Sequence, residues 1–263
     1  MKKYFVIGNP INHSLSPLLH NYWIKKNNIN AEYFKKELTL NKLEEFINDI
    51  RQEKISGANI TIPFKKSIIP YLDILSPEAE KSQSVNTIAL KDNKLIGYNT
   101  DIFGFEQAIK KLNFSVKEKK VFILGAGGVV PSIILALKNM NASKINVSNR
   151  TKEKALDLKK RYEKIGVLNW GEIPEFDLII NATSLGLKNE TINLDLSKVG
   201  HNKLFYDVIY NPSETNFLHT GKNLGNLSEN GKLMFIYQAL ASFELWHGIV
   251  PDINEQTLAL LNL

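Results

Sequence analysis

Val121-Phe122-Ile123-Leu124 is an unbroken apolar run, followed at once by Gly125-Ala126-Gly127-Gly128 and then by an apolar helical pattern through Ile133, Ile134 and Leu137. A short apolar run bounded by turn residues is the signature of a strand buried on both faces, as in a parallel sheet. Parallel neighbours need crossover connections, usually helices. This one stretch therefore commits the middle of the chain to a layered α/β fold. Glycines in such a turn allow a tight bend and bring the backbone close to a phosphate at the helix N-terminus. Pro131 is tolerated in the first turns of that helix, where N–H groups have no intrahelical partner. The G-x-G-G match is weak by itself; strand, turn and helix in sequence make it a dinucleotide-binding turn.

The next strand, Lys144–Ser148, ends in Asn149-Arg150-Thr151, with Lys154 one turn further on. An NAD site places an acidic residue here, on the ribose 2′-hydroxyl. Amide, guanidinium and hydroxyl groups suit a 2′-phosphate instead, hence NADP. Arg150 is informative because only Arg51, Arg150 and Arg161 among 33 basic residues are arginine. A chain that otherwise uses lysine has chosen a planar, forked donor at this point. Phe176–Asn181 and Leu204–Tyr210 read as two further buried strands.

The first half of the chain also alternates strands and helices. Tyr4–Gly8 reads as a strand broken by Asn9-Pro10. Ser14 and Ser16 follow, with Ser16-Pro17 opening a helix whose apolar stripe is Leu18, Leu19, Tyr22 and Trp23. Ser16 fits a helix cap, and the two hydroxyls also fit an anion at a helix N-terminus. A strand is expected near Tyr33–Lys36, then a helix with Leu43, Phe46, Ile47 and Ile50 on one face. In Gly57–Lys66, Asn59 and Thr61 alternate with Ile60 and Ile62, which would face a core. Pro63 then starts a helix with Lys65 in its first turn, near the carboxyl end of a strand, where α/β sheets place ligands. One more solvated lysine is the plain alternative. Ser76-Pro77 begins a short helix. Val85–Leu90 and Leu95–Tyr98 form a hairpin about Asp92-Asn93. Asp101 precedes the apolar positions Phe105, Ile109 and Leu112. It fits a helix cap, and equally a carboxylate beside Lys65. A long helix runs from Leu233 to about His247 and carries Gln238; a last one lies near Leu258–Leu261.

Composition excludes more than it proves. There is no cysteine, hence no disulfide frame and no thiolate metal site. The five histidines lack ligand spacing, so no metal is expected. Net charge is +6, but the lysines are dispersed and no arginine-rich tract or aromatic ladder marks a nucleic-acid surface. The N-terminus is charged for two residues and then reads as a strand, not as a signal peptide. No apolar run is long enough to span a membrane. A cytoplasmic protein is the expectation, with a small-molecule substrate and at most a second copy of itself as partners.

Taken in order, these motifs form one pattern: Asn9-Pro10…His13-Ser14-Leu15-Ser16-Pro17, Gly57–Lys66, Val85-Asn86-Thr87, Asn99-Thr100-Asp101, Gly125–Gly128, Asn149-Arg150-Thr151, Asn181-Ala182-Thr183-Ser184 and Met234…Gln238-Ala239. Over essentially its whole length the chain resembles the shikimate dehydrogenase family. The resemblance implies an α/β substrate-binding domain with a mostly parallel sheet (residues 1–101 and 238–263) and a Rossmann-like, doubly wound NADP-binding domain (102–237). It implies Lys65 and Asp101 as the catalytic pair, and Ser14 and Ser16 on the substrate carboxylate. Asn59, Thr61, Asn86, Tyr210 and Gln238 would line the rest of the pocket. Gly125, Ala126, Gly127, Gly128, Val129, Asn149, Arg150, Thr151 and Lys154 would hold NADP, with Val208 and Gly231 near the nicotinamide. The implied reaction is the NADPH-dependent reduction of 3-dehydroshikimate to shikimate, a step of aromatic amino-acid biosynthesis. Two other readings stand beside it: an NAD-using quinate/shikimate dehydrogenase, and a non-catalytic NADP(H)-binding sensor or scaffold.

Overall fold

A computed structural model describes residues 1–188 and 190–261. The chain divides into two compact units, Met1–Gly104 with Ile236–Leu263, and Phe105–Phe235. In the first, strands β1 (Lys2–Gly8), β2 (Ala31–Glu37), β3 (Gly57–Ile60), β4 (Ile74–Leu75), β5 (Thr87–Lys91) and β6 (Lys94–Tyr98) form one sheet in the order β2-β1-β3-β5-β6-β4. Only β5 runs antiparallel to its neighbours. Helices α1 (Ser16–Lys26), α2 (Leu43–Arg51) and α3 (Pro77–Ser82) connect the strands, and α4 (Asp101–Lys111) begins in this unit. Leu43, Phe46, Ile47 and Ile50 of α2 are all buried, with Ile7, Ile60, Phe64 and Ile88, in one core. Asp92 and Asn93 both take positive φ, 50° and 61°, and close the β5–β6 hairpin as a two-residue turn.

The second unit holds β7 (Lys120–Leu124), β8 (Lys144–Ser148), β9 (Ile165–Leu168), β10 (Leu178–Asn181), β11 (Leu204–Asp207) and β12 (Leu227–Glu229). All pairs are parallel, in the order β12-β11-β10-β7-β8-β9. Counted from β7, this is the 3-2-1-4-5-6 order of dinucleotide-binding sheets. Helices α5 (Val130–Asn139), α6 (Lys152–Arg161) and α7 (Asn216–Asn223) cross over between strands, and α8 (Lys232–His247) and α9 (Glu255–Ala259) complete the chain. Ile133, Ile134 and Leu137 of α5 are fully buried, as are the inward residues of β7 and β10. Each such side chain contributes about 1.5–3 kcal/mol by leaving water. No helix is long and apolar enough to cross a membrane among the described residues, and no group of His, Asp and Glu there could hold a metal ion.

Local expectations fail at three places. β3 stops at Ile60, so Ile62 does not face the core but is 59% exposed. The helix expected from Pro63 is a set of turns that ends in one 3-10 turn, Ile69–Tyr71, so Lys65 sits in a turn. Pro70 has no N–H to carry a helix onward, and the Lys65 carbonyl accepts from Val85 N–H across the unit instead. The stripe of α1 is rotated: Leu18 is 41% exposed, and His20 is fully buried beside Leu19, Trp23 and Ile24.

Candidate functional site

The loops after β1 and β3 are sewn together by backbone bonds, Thr61 N–H to Ile7 carbonyl (2.9 Å) and Asn9 N–H to Ile62 carbonyl (2.9 Å). This joins the segment carrying Ser14 and Ser16 to the one carrying Lys65. Ser16 is not the cap of α1. Leu15 holds that position without a side-chain bond, and Ser16 is already helical. Its N–H donates to Ser14 Oγ (3.3 Å), and Ser14 Oγ donates to Ser16 Oγ (3.2 Å). Two hydroxyls thus stand together at the positive end of an eleven-residue helix.

Lys65 Nζ lies 2.5 Å from Asp101 Oδ2, although 36 residues separate the two in sequence. Both are buried, at 8% and 5% exposed. Asp101 does not cap α4. Asn99 Oδ1 accepts from Ile102 N–H at 3.3 Å and does that work, so the Asp101 carboxylate is turned to Lys65 and Asn86. Asn86 Nδ2 donates to Asp101 Oδ1 (3.0 Å) and Thr100 Oγ1 (2.8 Å), and lies 3.5 Å from Gln238 Oε1. Asn86 Oδ1 accepts from Thr100 N–H at 2.7 Å, which fixes the amide's orientation. Asn59 Nδ2 is spent inside the protein on the Asn86 carbonyl, Thr87 Oγ1 and Ser242 Oγ, at 3.1, 3.0 and 2.9 Å. Lys65, Asn86 and Asp101 therefore share one buried network, with half-buried Gln238 at its edge and Asn59 behind it. An amine and a carboxylate in contact, shielded from water, can hold and transfer a proton at a bound carbonyl. The Tyr33 hydroxyl donates to Asn59 Oδ1 at 2.6 Å, and sequence reasoning misses both Tyr33 and Ser242 here. Ser242 sits four residues after Gln238 on α8, the spacing that puts two side chains on one helix face.

In the second unit Gly125 takes φ 109°, and a Cβ there would lie 2.7 Å from the Ala182 carbonyl oxygen. The turn between β7 and α5 can close only on glycine. Gly127 meets nothing closer than 3.9 Å, and Val129 stands at the N-cap position of α5 without a capping bond. Val129, with an apolar side chain at the N-cap, leaves the cap role at this helix start to a ligand or solvent, the kind of helix end that receives an anion. Asn149 Nδ2 donates to the Thr151 carbonyl (2.7 Å) at the start of α6. Arg150 and Lys154 are exposed and form no ion pair with a described residue. No acidic residue stands at the end of β8. The residues present thus fit a phosphorylated dinucleotide: a glycine turn opens onto the N-terminus of α5, and two exposed cations, Arg150 and Lys154, follow β8. Gly125→Ala is expected to destabilise the fold by about 1–3 kcal/mol through backbone strain, to lower Tm by roughly 5 °C, and to abolish saturable NADPH binding in a fluorescence titration.

The ends of β10 and β11 are held by a buried carboxylate, Asp207. It accepts from Thr215 Oγ1 (2.7 Å), Ile209 N–H (3.0 Å) and Asn181 Nδ2 (3.0 Å). Burial raises its pKa, and these bonds oppose the rise. The clamp sets the chain at Val208, whose N–H donates to the Asn181 carbonyl (3.0 Å). Val208 and Gly231 are brought together: Gly231 N–H donates to the Ile209 carbonyl (3.0 Å), and any side chain at 231 would run into the Val208 carbonyl. Tyr210 stacks on Phe235 with ring centroids 4.5 Å apart.

A parallel sheet in this order with a glycine turn after its first strand, in a chain whose first unit buries a lysine–carboxylate pair, defines a dinucleotide-dependent dehydrogenase. Three family descriptions match the chain in succession: "Shikimate dehydrogenase substrate binding domain" over residues 6–88, "Shikimate / quinate 5-dehydrogenase" over 106–207, and "Shikimate 5'-dehydrogenase C-terminal domain" over 233–255. The chain is 58% identical to the shikimate dehydrogenase (NADP(+)) of Pelagibacter ubique (strain HTCC1062), with 100% of both chains covered. Its fold is similar to the crystal structure of shikimate dehydrogenase from Aquifex aeolicus, with TM-score 0.91, 34% identity, and 99% of this chain and 97% of that one covered. It is also similar to shikimate 5-dehydrogenase from Thermus thermophilus in complex with NADP(H) and shikimate, with TM-score 0.89, 29% identity, and 99% and 97% covered. The chain belongs to the shikimate dehydrogenase family.

Proposed function

We propose that this protein catalyses the reversible, NADPH-dependent reduction of the ring ketone of 3-dehydroshikimate to shikimate, a step toward the aromatic amino acids. The observation that carries the mechanism is the buried contact of Lys65 Nζ with Asp101 Oδ2. NADPH, when bound, supplies a hydride to the carbonyl carbon. Lys65 gives its proton to the carbonyl oxygen and takes it back in the reverse direction. Asp101 holds the ammonium in line and accepts a hydrogen bond from a ring hydroxyl. Ser14 and Ser16 hold the substrate carboxylate at the N-terminus of α1. Asn59, Thr61, Asn86 and Gln238 line the rest of the substrate pocket of the first unit, and Tyr210 is a further substrate residue. The unit built from Met1–Gly104 and Ile236–Leu263 is the substrate-binding domain, and Phe105–Phe235 the cofactor-binding domain. The test is oxidation of shikimate with NADP⁺, followed as the appearance of NADPH. Cofactor binding without turnover of any cyclic hydroxy acid would leave a sensor or scaffold.

Gly125–Val129, Asn149, Arg150, Thr151 and Lys154 hold the cofactor, with Val208 and Gly231 beside the nicotinamide. Arg150→Ala is expected to lower kcat/KM for NADPH by roughly ten- to a hundredfold, the scale of a charged hydrogen bond. kcat/KM for NADH should stay within a few-fold. An equal loss with both cofactors would place Arg150 away from the 2′-phosphate and reopen an NAD-dependent quinate/shikimate activity. The absence of cysteine suits a reducing cytoplasm. Assembly as a homodimer belongs to the same reading and is checked by sedimentation.

A further inference from the structure

β10 and β11 are fully buried strands that each end on a short polar residue, Asn181 and Asp207, and their parallel register sets these two side by side. Both are 0% exposed. A buried carboxylate is costly unless donors surround it, and here they do. Thr215 Oγ1 donates to Asp207 Oδ2 (2.7 Å), Ile209 N–H donates to Oδ1 (3.0 Å), and Asn181 Nδ2 lies 3.1 and 3.0 Å from the two oxygens. The proton count closes around the carboxylate. Asn181 Nδ2 gives its other hydrogen to the Leu185 carbonyl (3.0 Å), and Asn181 Oδ1 accepts from the Thr183 N–H (3.1 Å) and hydroxyl (2.7 Å). The Thr183 hydroxyl oxygen accepts from Leu185 N–H (3.0 Å), and that of Thr215 from Leu218 N–H (3.4 Å). One carboxylate thus ties together the loop after β10, the loop after β11 and the start of α7.

Both loops stand against glycines read as part of the cofactor site. A Cβ at Gly125 would lie 2.7 Å from the Ala182 carbonyl oxygen and 3.2 Å from Thr183 Cγ2, so residues 182–183 form the wall behind the glycine turn. Val208, the next residue after Asp207, donates its N–H to the Asn181 carbonyl (3.0 Å), and its own carbonyl stands against Gly231. We propose that Asp207 is a positioning residue of the cofactor site, holding the wall at Ala182–Thr183 and the backbone at Val208 in one fixed arrangement. The inference rests on the reading of Gly125–Val129 as the pyrophosphate turn and of Val208 and Gly231 as neighbours of the nicotinamide. The carboxylate is spent on donors of the chain itself, so it acts through the loops that it holds. Arg150 and Lys154 follow β8, which pairs with β7 and β9 and not with β10 or β11, so the residues read as the 2′-phosphate site lie outside this network. The two ends of the cofactor should therefore respond differently to its loss.

The experiment is calorimetric titration of the full chain with two probes, NADP⁺ and adenosine 2′,5′-bisphosphate, with a melting curve for each variant. The bisphosphate carries the 2′-phosphate but has neither the pyrophosphate bridge nor the nicotinamide. Asp207→Asn keeps the shape and sets an NH₂ group among donors. It is expected to raise Kd for NADP⁺ roughly ten- to a hundredfold, the scale of hydrogen bonds to a charged group. Kd for the bisphosphate should stay within about twofold, which a general loosening of the second unit would not allow. KM for shikimate at saturating NADP⁺ should stay within about threefold, because the residues read as its pocket lie chiefly in the first unit. Thr215→Val removes one donor to the same carboxylate and should raise Kd for NADP⁺ about fivefold, again without moving the bisphosphate. If Asp207→Asn does not fold, Thr215→Val decides. Unchanged affinity for NADP⁺, or equal losses for both probes, would overturn the proposal. A wild type that binds neither probe, or both equally well, would instead remove the cofactor reading beneath it.

Discussion

Lys65→Ala is expected to lower kcat for shikimate oxidation at least about a hundredfold, the usual contribution of a general acid–base group. KM for shikimate should change much less. The reasoning separates binding from chemistry. Substrate is held by several hydroxyls and amides, and the amine contributes chiefly where the carbonyl oxygen gains charge, in the transition state. A loss made only there appears in kcat and kcat/KM alike. The variant has a structural side effect that must be measured. Asp101 is 5% exposed and receives Lys65 Nζ at 2.5 Å, so alanine leaves a buried carboxylate with Asn86 as its one side-chain partner among the described residues. Removing one member of a buried pair destabilises by about 3–5 kcal/mol. A lowered Tm is therefore expected, and kinetics belong well below it. Lys65→Met, which fills the space of the aliphatic stem, separates the two effects: it recovers part of the stability and none of the kcat. A near-normal kcat in either variant removes Lys65 from proton transfer.

How much of the fold and site is legible in the sequence depends on the range of the forces involved. The dinucleotide turn is largely local: Gly125 takes φ 109° in the strand–turn–helix itself and the pattern Val121–Gly128 carries it, although the Ala182 carbonyl that also bars a side chain there comes from the end of β10. The Asp92-Asn93 hairpin and the Ser76 cap, whose Oγ accepts from Ala79 N–H, are local as well. Short edge elements are not legible. β4 has two residues and β12 three, too few for an alternation to register. The turn at Lys65 reads as a helix because a bond from Val85, distant in sequence, decides it. Ser16 and Asp101 both have the residue type of a cap, yet neighbours take the capping position or the N–H in each case. Ser242 bonds Asn59 across 183 positions of sequence, and no window of sequence contains both.

The stability of the first unit should fall steeply in mild acid, and the cause is His20. Its ring is fully buried among Trp23, Tyr33, Phe243 and Trp246, and neither ring nitrogen has a hydrogen-bond partner among the described residues. Desolvation, with His247 nearby, lowers its pKa from 6.5 to about 3. His247 is itself lowered to about 4, by burial and by Lys2. Above pH 6.5 the imidazole is neutral whether the chain is folded or not, and it makes no pH-dependent contribution. Below 6.5 the unfolded chain binds a proton that the folded one refuses, so folding stability drops as pH falls, until about pH 3. Each pH unit of proton uptake refused by the folded chain costs a little over 1 kcal/mol, so His20 alone removes about 2–3 kcal/mol by pH 4.5. Against a total of about 5–15 kcal/mol that is a large share. Urea unfolding between pH 7 and pH 4.5 measures it. His20→Phe keeps a flat ring against Tyr33 and has nothing to protonate, so its stability should decline more gently with acid by about that amount. Parallel curves for the two proteins would show that the imidazole is reached by solvent and that the acid sensitivity arises elsewhere.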